Sequence, residues 1–194
     1  MWMRISRWAL KSLATSNDVK KRRKEKRMFK KLYPDEYRAS AYVIDYEKMY
    51  QKGYRGILFD IDNTLVPHDA PVHERAIKLF EKLREIGFTC CFISNNDEER
   101  VKTFNEEIGN LYIYRAGKPS KSGFIRGMEL MESSPENTFI VGDQLFTDVW
   151  GASNAGIYCI LVKPIHPKEK WTIVLKRVLE KIVMIFYKRS KKEK

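Results

Sequence analysis

The sequence has little of what disulfide-rich, zinc-binding or membrane-spanning proteins require. Its 194 residues include only three cysteines and three histidines. No Cys-x-x-Cys pair occurs and the histidines lack metal-ligand spacing, so neither a disulfide framework nor a zinc site is expected. An apolar run of about 18 residues, which a transmembrane helix needs, is missing. The apolar segment and cleavage site of a signal peptide are missing too. These absences favour a protein of a reducing compartment, which we expect to be the cytoplasm.

The positive charge is concentrated at the two ends of the chain. The formal net charge of +12 divides into +10 for residues 1–31, −6 for 32–162 and +8 for 163–194. The apolar fraction of 43% is enough for a sizeable core. We expect a basic N-terminal extension at 1–31, one domain at 32–167, and a basic C-terminal helix and tail at 168–194. An acidic core with basic ends predicts a large anionic partner.

Both ends combine basic residues with apolar ones. As a helix, Met1–Leu13 places a cationic stripe beside two tryptophans, which suits either a membrane surface or docking on the core. The run Lys20–Lys31 is either a solvated segment or a contact for anionic lipid or nucleic acid. Lys168–Tyr187 is too charged to span a bilayer, and its apolar positions suit a helix that covers a sheet. An acidic protein or a second copy of the chain are alternative partners, and the oligomeric state stays open.

Apolar strand patterns alternate with helical patterns through the central domain. The predicted strands are Gly56–Asp60, Thr89–Ser94, Leu111–Tyr114, Thr138–Gly142 and Tyr158–Val162. The predicted helices are Asp45–Lys52, Glu74–Ile86, one that Asp97 caps, one from Ser120 to about Glu132, and Thr147–Ala155. Such alternation is typical of parallel βαβ units. We therefore expect an α/β fold, a doubly wound parallel sheet with helices on both faces.

Polar side chains occur at or soon after the ends of four of these strands. They are Asp60, Asp62, Thr64, Ser94, Asn95, Lys118, Asp143 and Asp148. The carboxyl ends of parallel strands line the ligand site of an open α/β sheet, so these side chains are expected to converge. Carboxylates as close as Asp60 and Asp62 repel each other unless a cation lies nearby, and Mg²⁺ is a usual one. A carboxylate nucleophile, a hydroxyl, an ammonium and an acid pair are what phosphoryl transfer through an aspartyl phosphate needs.

These residues resemble the four motifs of the haloacid dehalogenase superfamily. The motifs are Asp60-Ile61-Asp62-Asn63-Thr64, Ser94 after an apolar strand, Lys118-Pro119, and Gly142-Asp143 with Asp148. Asp62–Val66, Ser94–Asn96 and Gly142–Asp148 are further similar to the YqeG-like phosphatases, which are similar to phosphatidylglycerophosphate phosphatases. The resemblance covers about residues 56–162 and implies a Rossmann-like, magnesium-dependent phosphatase. The basic start before Pro34 departs from the group's usual pattern.

The resemblance also implies a role for each site residue. Asp60 is the nucleophile that becomes the aspartyl phosphate. Asp62 protonates the leaving oxygen and then deprotonates the attacking water. Thr64 holds the loop or steers Asp62. The phosphoryl oxygens are bound by Ser94, Asn95 and Lys118. Lys118 also offsets the charge of Asp60.

A magnesium ion is implied at the same site. The expected ligand residues are Asp60, Asp62 through its backbone carbonyl, Asp143 and Asp148. Two roles stay open for Asp148, because it is expected to be either a water-mediated ligand or a partner of Lys118.

The gaps between the motifs leave no room for the cap domains of the family. One helix fits between Asp62 and Ser94, and one helix with a short strand fits between Ser94 and Lys118. An open site admits large or surface-embedded substrates. With the basic ends, it predicts hydrolysis of phosphatidylglycerophosphate, an anionic phospholipid, at the inner face of a membrane. The alternatives are a phosphatase for nucleic-acid or small-molecule phosphates, and a non-catalytic RNA- or ribosome-binding protein on the same scaffold.

Overall fold

The structure is a computed structural model that describes residues 30–166, 180, 181, 183–185 and 187. Nearly all of them belong to the second of the two units into which the chain divides, Leu32–Lys194. The predicted segment Met1–Leu13 therefore lies wholly outside the described residues. Most of Lys20–Lys31 and of Lys168–Tyr187 lies outside them too. Their partners and the three-part division stay predictions. Within the described part of the chain, no helix has the length and apolar character needed to cross a bilayer.

Six parallel strands form one sheet. In chain order they are β1 (Glu36–Arg38), β2 (Gly56–Phe59), β3 (Thr89–Ile93), β4 (Leu111–Ile113), β5 (Thr138–Gly142) and β6 (Tyr158–Val162). Their order across the sheet is β1-β6-β5-β2-β3-β4, and every pairing is parallel. From β2 the chain runs outward through β3 to β4 and then returns to β5, so the winding reverses between β2 and β5. The predicted doubly wound sheet is confirmed, and its switch point places a ligand site at the carboxyl ends of these two strands.

The described α-helices lie close to the predicted ones. Up to residue 166 they are α1 (Tyr46–Gln51), α2 (Glu74–Ile86), α3 (Glu98–Asn105), α4 (Lys121–Leu130) and α5 (Trp150–Ala155). The side chains of Asp97 and Ser120 cap α3 and α4 by accepting backbone N–H groups. Gly87 ends α2 in the left-handed conformation, with φ of 105°. The helix boundaries therefore follow from capping chemistry that the sequence already displays.

The structure differs from the sequence prediction at two places. The strand β1 is an edge strand of three polar or half-polar residues that pairs with β6, so no apolar run marks it. The predicted helix Thr147–Ala155 is instead a π-helix at Leu145–Val149 that continues into α5. Its wider turn carries Asp148, and π-helical turns of this kind frequently occur at functional sites.

Both faces of the sheet are covered by apolar side chains. Successive residues of a strand point to opposite faces, so Ile57 and Phe59 of β2 pack in one cluster with Phe80 of α2. Leu58, between them, packs in the other cluster with Phe124 of α4. All four residues of β2 are buried. Full burial of such a side chain contributes about 1.5–3 kcal/mol, so this central strand is firmly anchored.

No further domain is inserted between the motifs. Residues 63–88 form a loop and α2, and residues 95–117 form α3, β4 and short connections. Residues 62–118 therefore confirm the predicted architecture without a cap domain.

Candidate active site

Asp60 directly follows β2 and lies at the centre of the site. Phe59 pairs with Val141 of β5, and the Asp60 N–H donates to the Val141 carbonyl oxygen at 3.0 Å. The next turn closes when the Thr64 N–H donates to the Ile61 carbonyl oxygen at 3.2 Å. This turn returns the Thr64 hydroxyl to Asp60, where Oγ1 donates to Oδ2 at 3.1 Å. Thr64 thus contacts the candidate nucleophile itself.

Lys118 forms a buried bridge between two carboxylates. Its Nζ donates to Oδ1 of Asp60 at 2.6 Å and to Oδ1 of Asp148 at 2.7 Å. All three residues are buried. Asn95 fixes the Lys118 backbone, because its Nδ2 donates to the Lys118 carbonyl oxygen at 3.1 Å and its Oδ1 accepts the Lys118 N–H at 2.8 Å. Asn95 therefore positions the lysine, and its contact with phosphate stays a prediction.

Three buried carboxylates converge beside this lysine. Oxygen atoms of Asp60, Asp143 and Asp148 lie within 4.8 Å of one another. The Asp148 Oδ2 accepts the Gln144 N–H at 3.0 Å. The carboxylate fits there because Gly142 has no side chain; a Cβ at that position would lie 2.5 Å from the Asp148 Cγ. Buried carboxylate oxygens are the donors that Mg²⁺ and other hard cations prefer, so these residues fit a divalent metal.

The charges of this group are unbalanced. Burial raises the pKa of Asp60 to about 7, the Lys118 ammonium acts against that rise, and the Asp148 carboxylate adds to it. Burial alone would lower the pKa of Lys118, but the carboxylates of Asp148 and Asp60 outweigh it and hold that pKa above its ordinary value. One ammonium thus faces several carboxylates, and a bound divalent cation would offset the remaining negative charge.

The carboxylate of Asp62 is held by residues that the sequence analysis does not assign. Its Oδ1 accepts hydrogen bonds from Arg100 Nη2 at 2.8 Å and from the Asp69 N–H at 3.0 Å. Its Oδ2 accepts one from Asn96 Nδ2 at 2.5 Å. Asn96 directly follows the motif residue Asn95, so the motif Ser94–Asn96 already points to it. No local pattern marks Arg100, which lies in the first turns of α3.

Ser94 follows β3, the neighbour of β2, and is buried. Its N–H donates to the Ile113 carbonyl oxygen at 2.9 Å, and its Oγ accepts the Asn96 N–H at 3.1 Å. The residues Asp60, Thr64, Lys118, Asp143 and Asp148 form one group at the switch point. Asp62, Ser94 and Asn95 lie at the same end of the sheet with the partners given above. The predicted site residues therefore converge, while their roles toward a phosphate stay predictions.

The fold and this group of residues are those of a haloacid dehalogenase-like hydrolase. A family model described as HAD-hydrolase-like matches residues 115–164. The chain is also 38% identical over 165 residues to the probable phosphatase YqeG of Bacillus subtilis, covering 84% of this chain and 96% of that protein. The chain therefore belongs to the YqeG family of haloacid dehalogenase-like phosphatases.

Two weaker similarities accompany this relationship. The chain is 28% identical over 143 residues to phosphatidylglycerophosphate phosphatase 1 of Arabidopsis thaliana. The aligned residues make up 68% of this chain but 40% of that protein. The crystal structure of a HAD family hydrolase from Deinococcus radiodurans, with bound phosphate and sodium, matches 64% of this chain and 88% of that one. That match has a TM-score of 0.48 and 13% sequence identity.

Proposed function

We propose that the protein hydrolyses phosphomonoesters through an aspartyl-phosphate intermediate formed on Asp60. The observation that carries this proposal is that the buried carboxylate of Asp60, at the switch point, accepts two hydrogen bonds from side chains. Thr64 donates to its Oδ2 and Lys118 donates to its Oδ1. These two contacts fix the orientation of the nucleophile and so lower the entropic part of the barrier.

The reaction takes place in two displacements. In the first, an Asp60 carboxylate oxygen forms a bond to phosphorus while the bond from phosphorus to the alcohol oxygen breaks, and Asp62 gives that oxygen a proton. In the second, Asp62 takes a proton from water, whose oxygen attacks phosphorus and releases Asp60 and inorganic phosphate. Ser94 and Lys118 lie at this edge of the sheet and donate to the phosphoryl oxygens, which carry the negative charge of the transferring group in each transition state.

Asp60, Asp143 and Asp148, with the backbone carbonyl of Asp62, would hold a magnesium ion. The close group of carboxylate oxygens supports this assignment. When bound, the ion supplies positive charge that stabilises the phosphoryl oxygens in the transition state. The Lys118 ammonium supplies part of the same stabilisation from the protein itself.

We further propose phosphatidylglycerophosphate at a membrane surface as the substrate. The similarity to the Arabidopsis enzyme supports this choice. The absence of an inserted cap in residues 62–118 supports it too, because a lipid headgroup can then approach the site from a surface. The basic ends of the sequence add about 1 kcal/mol of attraction per Lys or Arg near an anionic membrane.

The test is magnesium-dependent phosphate release from phosphatidylglycerophosphate in anionic micelles. The native chain is compared with Asp60→Asn, and with Asp45→Asn as a matched control, since the Asp45 side chain caps α1 and Asn caps equally well. A phosphorylated oligonucleotide is the competing substrate. We expect lipid turnover that Asp60→Asn abolishes and Asp45→Asn leaves intact.

Other outcomes separate the two proposals. Turnover of the oligonucleotide or of small phosphates without lipid turnover would keep the nucleophile and overturn the lipid substrate. Full activity of Asp60→Asn would overturn the nucleophile. Salt-dependent RNA binding with no magnesium-dependent turnover of any phosphate would favour the binding protein instead.

A further inference from the structure

Exposed apolar and basic side chains lie together where β1 and β6 end. Lys163 directly follows β6, and its N–H donates to the carbonyl oxygen of Arg38, the last residue of β1, at 3.1 Å. All pairings of the sheet are parallel, so these strands end on the same side of the sheet as Asp60. The members of this β1–β6 surface are Tyr37, Arg38, Lys163, Ile165, Lys181 and Ile185, all of them exposed.

The helical residues described after 180 belong to the same surface. Lys181 and Ile185 line one cavity of about 490 Å³ together with Tyr37 and with Pro164, which follows Lys163. The exposed fraction is 39% for Tyr37, 41% for Ile165 and 51% for Ile185. Exposed apolar residues are ordinary when they occur singly, but three that share one surface with three cations suit a contact with a partner.

The β1–β6 surface is joined to the candidate active site through the backbone. The Ile165 N–H donates to the carbonyl oxygen of Asn63 at 3.0 Å. Asn63 lies in the first motif, between Asp62 and Thr64. A partner bound to this surface therefore lies at the edge of the site and not at the reacting phosphate itself.

The charge differs between the two sides of this end of the sheet. On the β1–β6 surface, Glu36 pairs with Arg38, while Lys163 and Lys181 add two exposed cations. Residues 97–99 follow β3, on the other side of β2 in the strand order, and all three are acidic and exposed. An anionic partner is therefore attracted to one side and repelled by the other, which favours a single orientation.

An anionic lipid bilayer fits this combination of side chains. Each Lys or Arg near anionic headgroups strengthens binding about fivefold. Exposed tyrosine and isoleucine gain further by burial between the headgroups and the acyl chains. A nucleic acid would also attract the cations, but it binds through aromatic stacking and would leave Ile165 and Ile185 in water.

We propose that the β1–β6 surface rests on anionic lipid headgroups and turns the active site toward a substrate held in the bilayer. The inference rests on the proposed hydrolysis at a membrane surface and adds the part of the folded domain that makes the contact. The polar headgroup of the substrate then reaches Asp60 from the edge of the site, while its acyl chains stay in the bilayer.

A fluorescent label at position 165 tests the contact directly. The three cysteines of the chain are buried, so Ile165→Cys provides an accessible thiol for an environment-sensitive dye. Leu130→Cys is the matched control, since Leu130 is 49% exposed and ends α4. Ser133, three residues further on, lies beside Gly56 at the start of β2, which places the control toward the opposite end of the sheet.

We expect the emission of the label at 165 to shift to the blue on vesicles of phosphatidylcholine mixed with phosphatidylglycerol. The label at 130 should keep the spectrum that it has in buffer. Hydrolysis of a soluble phosphomonoester and thermal melting show whether each labelled variant is folded. Ile185→Cys replaces Ile165→Cys if that variant is not.

A change of charge measures the contribution of one cation. Lys163→Ala should bind the mixed vesicles about fivefold more weakly in a sedimentation assay. Lys102→Ala, at an exposed position of α3, should bind as the native chain does. Both variants should hydrolyse a soluble phosphomonoester at the native rate, while Lys163→Ala should turn over the lipid substrate more slowly at limiting vesicle concentration.

Each contrary result has its own meaning. Vesicle binding with equal responses of the two labels, or equal losses in the two lysine variants, would overturn the β1–β6 surface and leave hydrolysis at a membrane intact. No binding to mixed vesicles would overturn the surface and the membrane location together. A response at 165 to RNA but not to vesicles would replace the bilayer by a nucleic acid. A response to vesicles without hydrolysis of any phosphate would keep the surface and overturn the proposed reaction.

Discussion

Arg100 donates from Nη2 to Oδ1 of Asp62 at 2.8 Å, and so joins α3 to the residue proposed to move the proton. Asn96 and the Asp69 N–H hold the same carboxylate. The Arg100 and Asp62 side chains are only 14% and 13% exposed. Arg100 is thus placed as a positioning residue for Asp62, because it binds the Asp62 carboxylate and not the carboxylates around Asp60.

Replacement of Arg100 by alanine should slow the reaction more than it weakens substrate binding. A proton donor that loses its orientation costs about tenfold to a hundredfold in kcat. KM should change little, and Arg100→Lys should recover part of kcat because it keeps the charge. Steady-state kinetics on a small phosphate measure both constants. Arg126→Ala, at an exposed position of α4, is the control, and an equal loss of kcat there would contradict the assignment.

Replacement of Lys118 by methionine should destabilise the fold as well as abolish turnover. The change leaves the buried carboxylates of Asp60 and Asp148 facing each other without their shared ammonium. Loss of one partner from a buried ion pair costs about 3–5 kcal/mol. Urea unfolding in chelator measures the loss. The second change Asp148→Asn should return part of the stability, and an undiminished stability of Lys118→Met would contradict the bridge.

Magnesium should stabilise the native chain without any substrate. A ligand that binds only the folded state at a hundred times its dissociation constant adds about 2.7 kcal/mol. The melting temperature should therefore rise with magnesium and fall again with chelator. Asp143→Asn should lose most of this response, because it removes one carboxylate of the buried group. A rise of equal size in that variant would place the metal elsewhere.

A methyl group at Gly142 should disturb the proposed metal site specifically. In Gly142→Ala the new Cβ would lie 2.5 Å from the Asp148 Cγ, so that carboxylate must shift. Gly127→Ala is a matched control, since its Cβ would lie 2.7 Å from a Leu58 methyl group in the apolar core. Overpacking costs about 1–3 kcal/mol in either variant. Only Gly142→Ala should also weaken magnesium binding, as measured by calorimetry, and equal metal affinities would refute the specific effect.

The main elements of the fold follow from local sequence patterns, and the exceptions have physical reasons. The apolar run at β2 predicts a central strand because both of its faces are buried. The edge strand β1 shows no such run, since its position depends on hydrogen bonds to β6 rather than on burial. The sequence pattern does not distinguish the π-helix at Leu145–Val149 from an ordinary helix, because five residues are too few to show the difference in period.

The site residues also divide into those that local sequence patterns predict and those that depend on tertiary contacts. Residues that follow parallel strands converge by topology alone, which is why Asp60, Ser94 and Asp143 are predictable. Arg100 reaches Asp62 across 38 positions of sequence, and only the packing of α3 against the sheet decides that contact. The contact of Thr64 with Asp60 depends on the turn that follows β2. Such contacts need the tertiary structure.

The hydrogen bond from the Leu145 N–H to Glu180 joins the proposed metal site to a residue 35 positions further along the chain. Leu145 begins the π-helix that carries Asp148, and its N–H is buried. Replacement of Glu180 by leucine would remove that acceptor while the segment stays in place, and an unsatisfied buried N–H costs about 1–3 kcal/mol. That variant should therefore bind metal more weakly although every proposed catalytic side chain is kept.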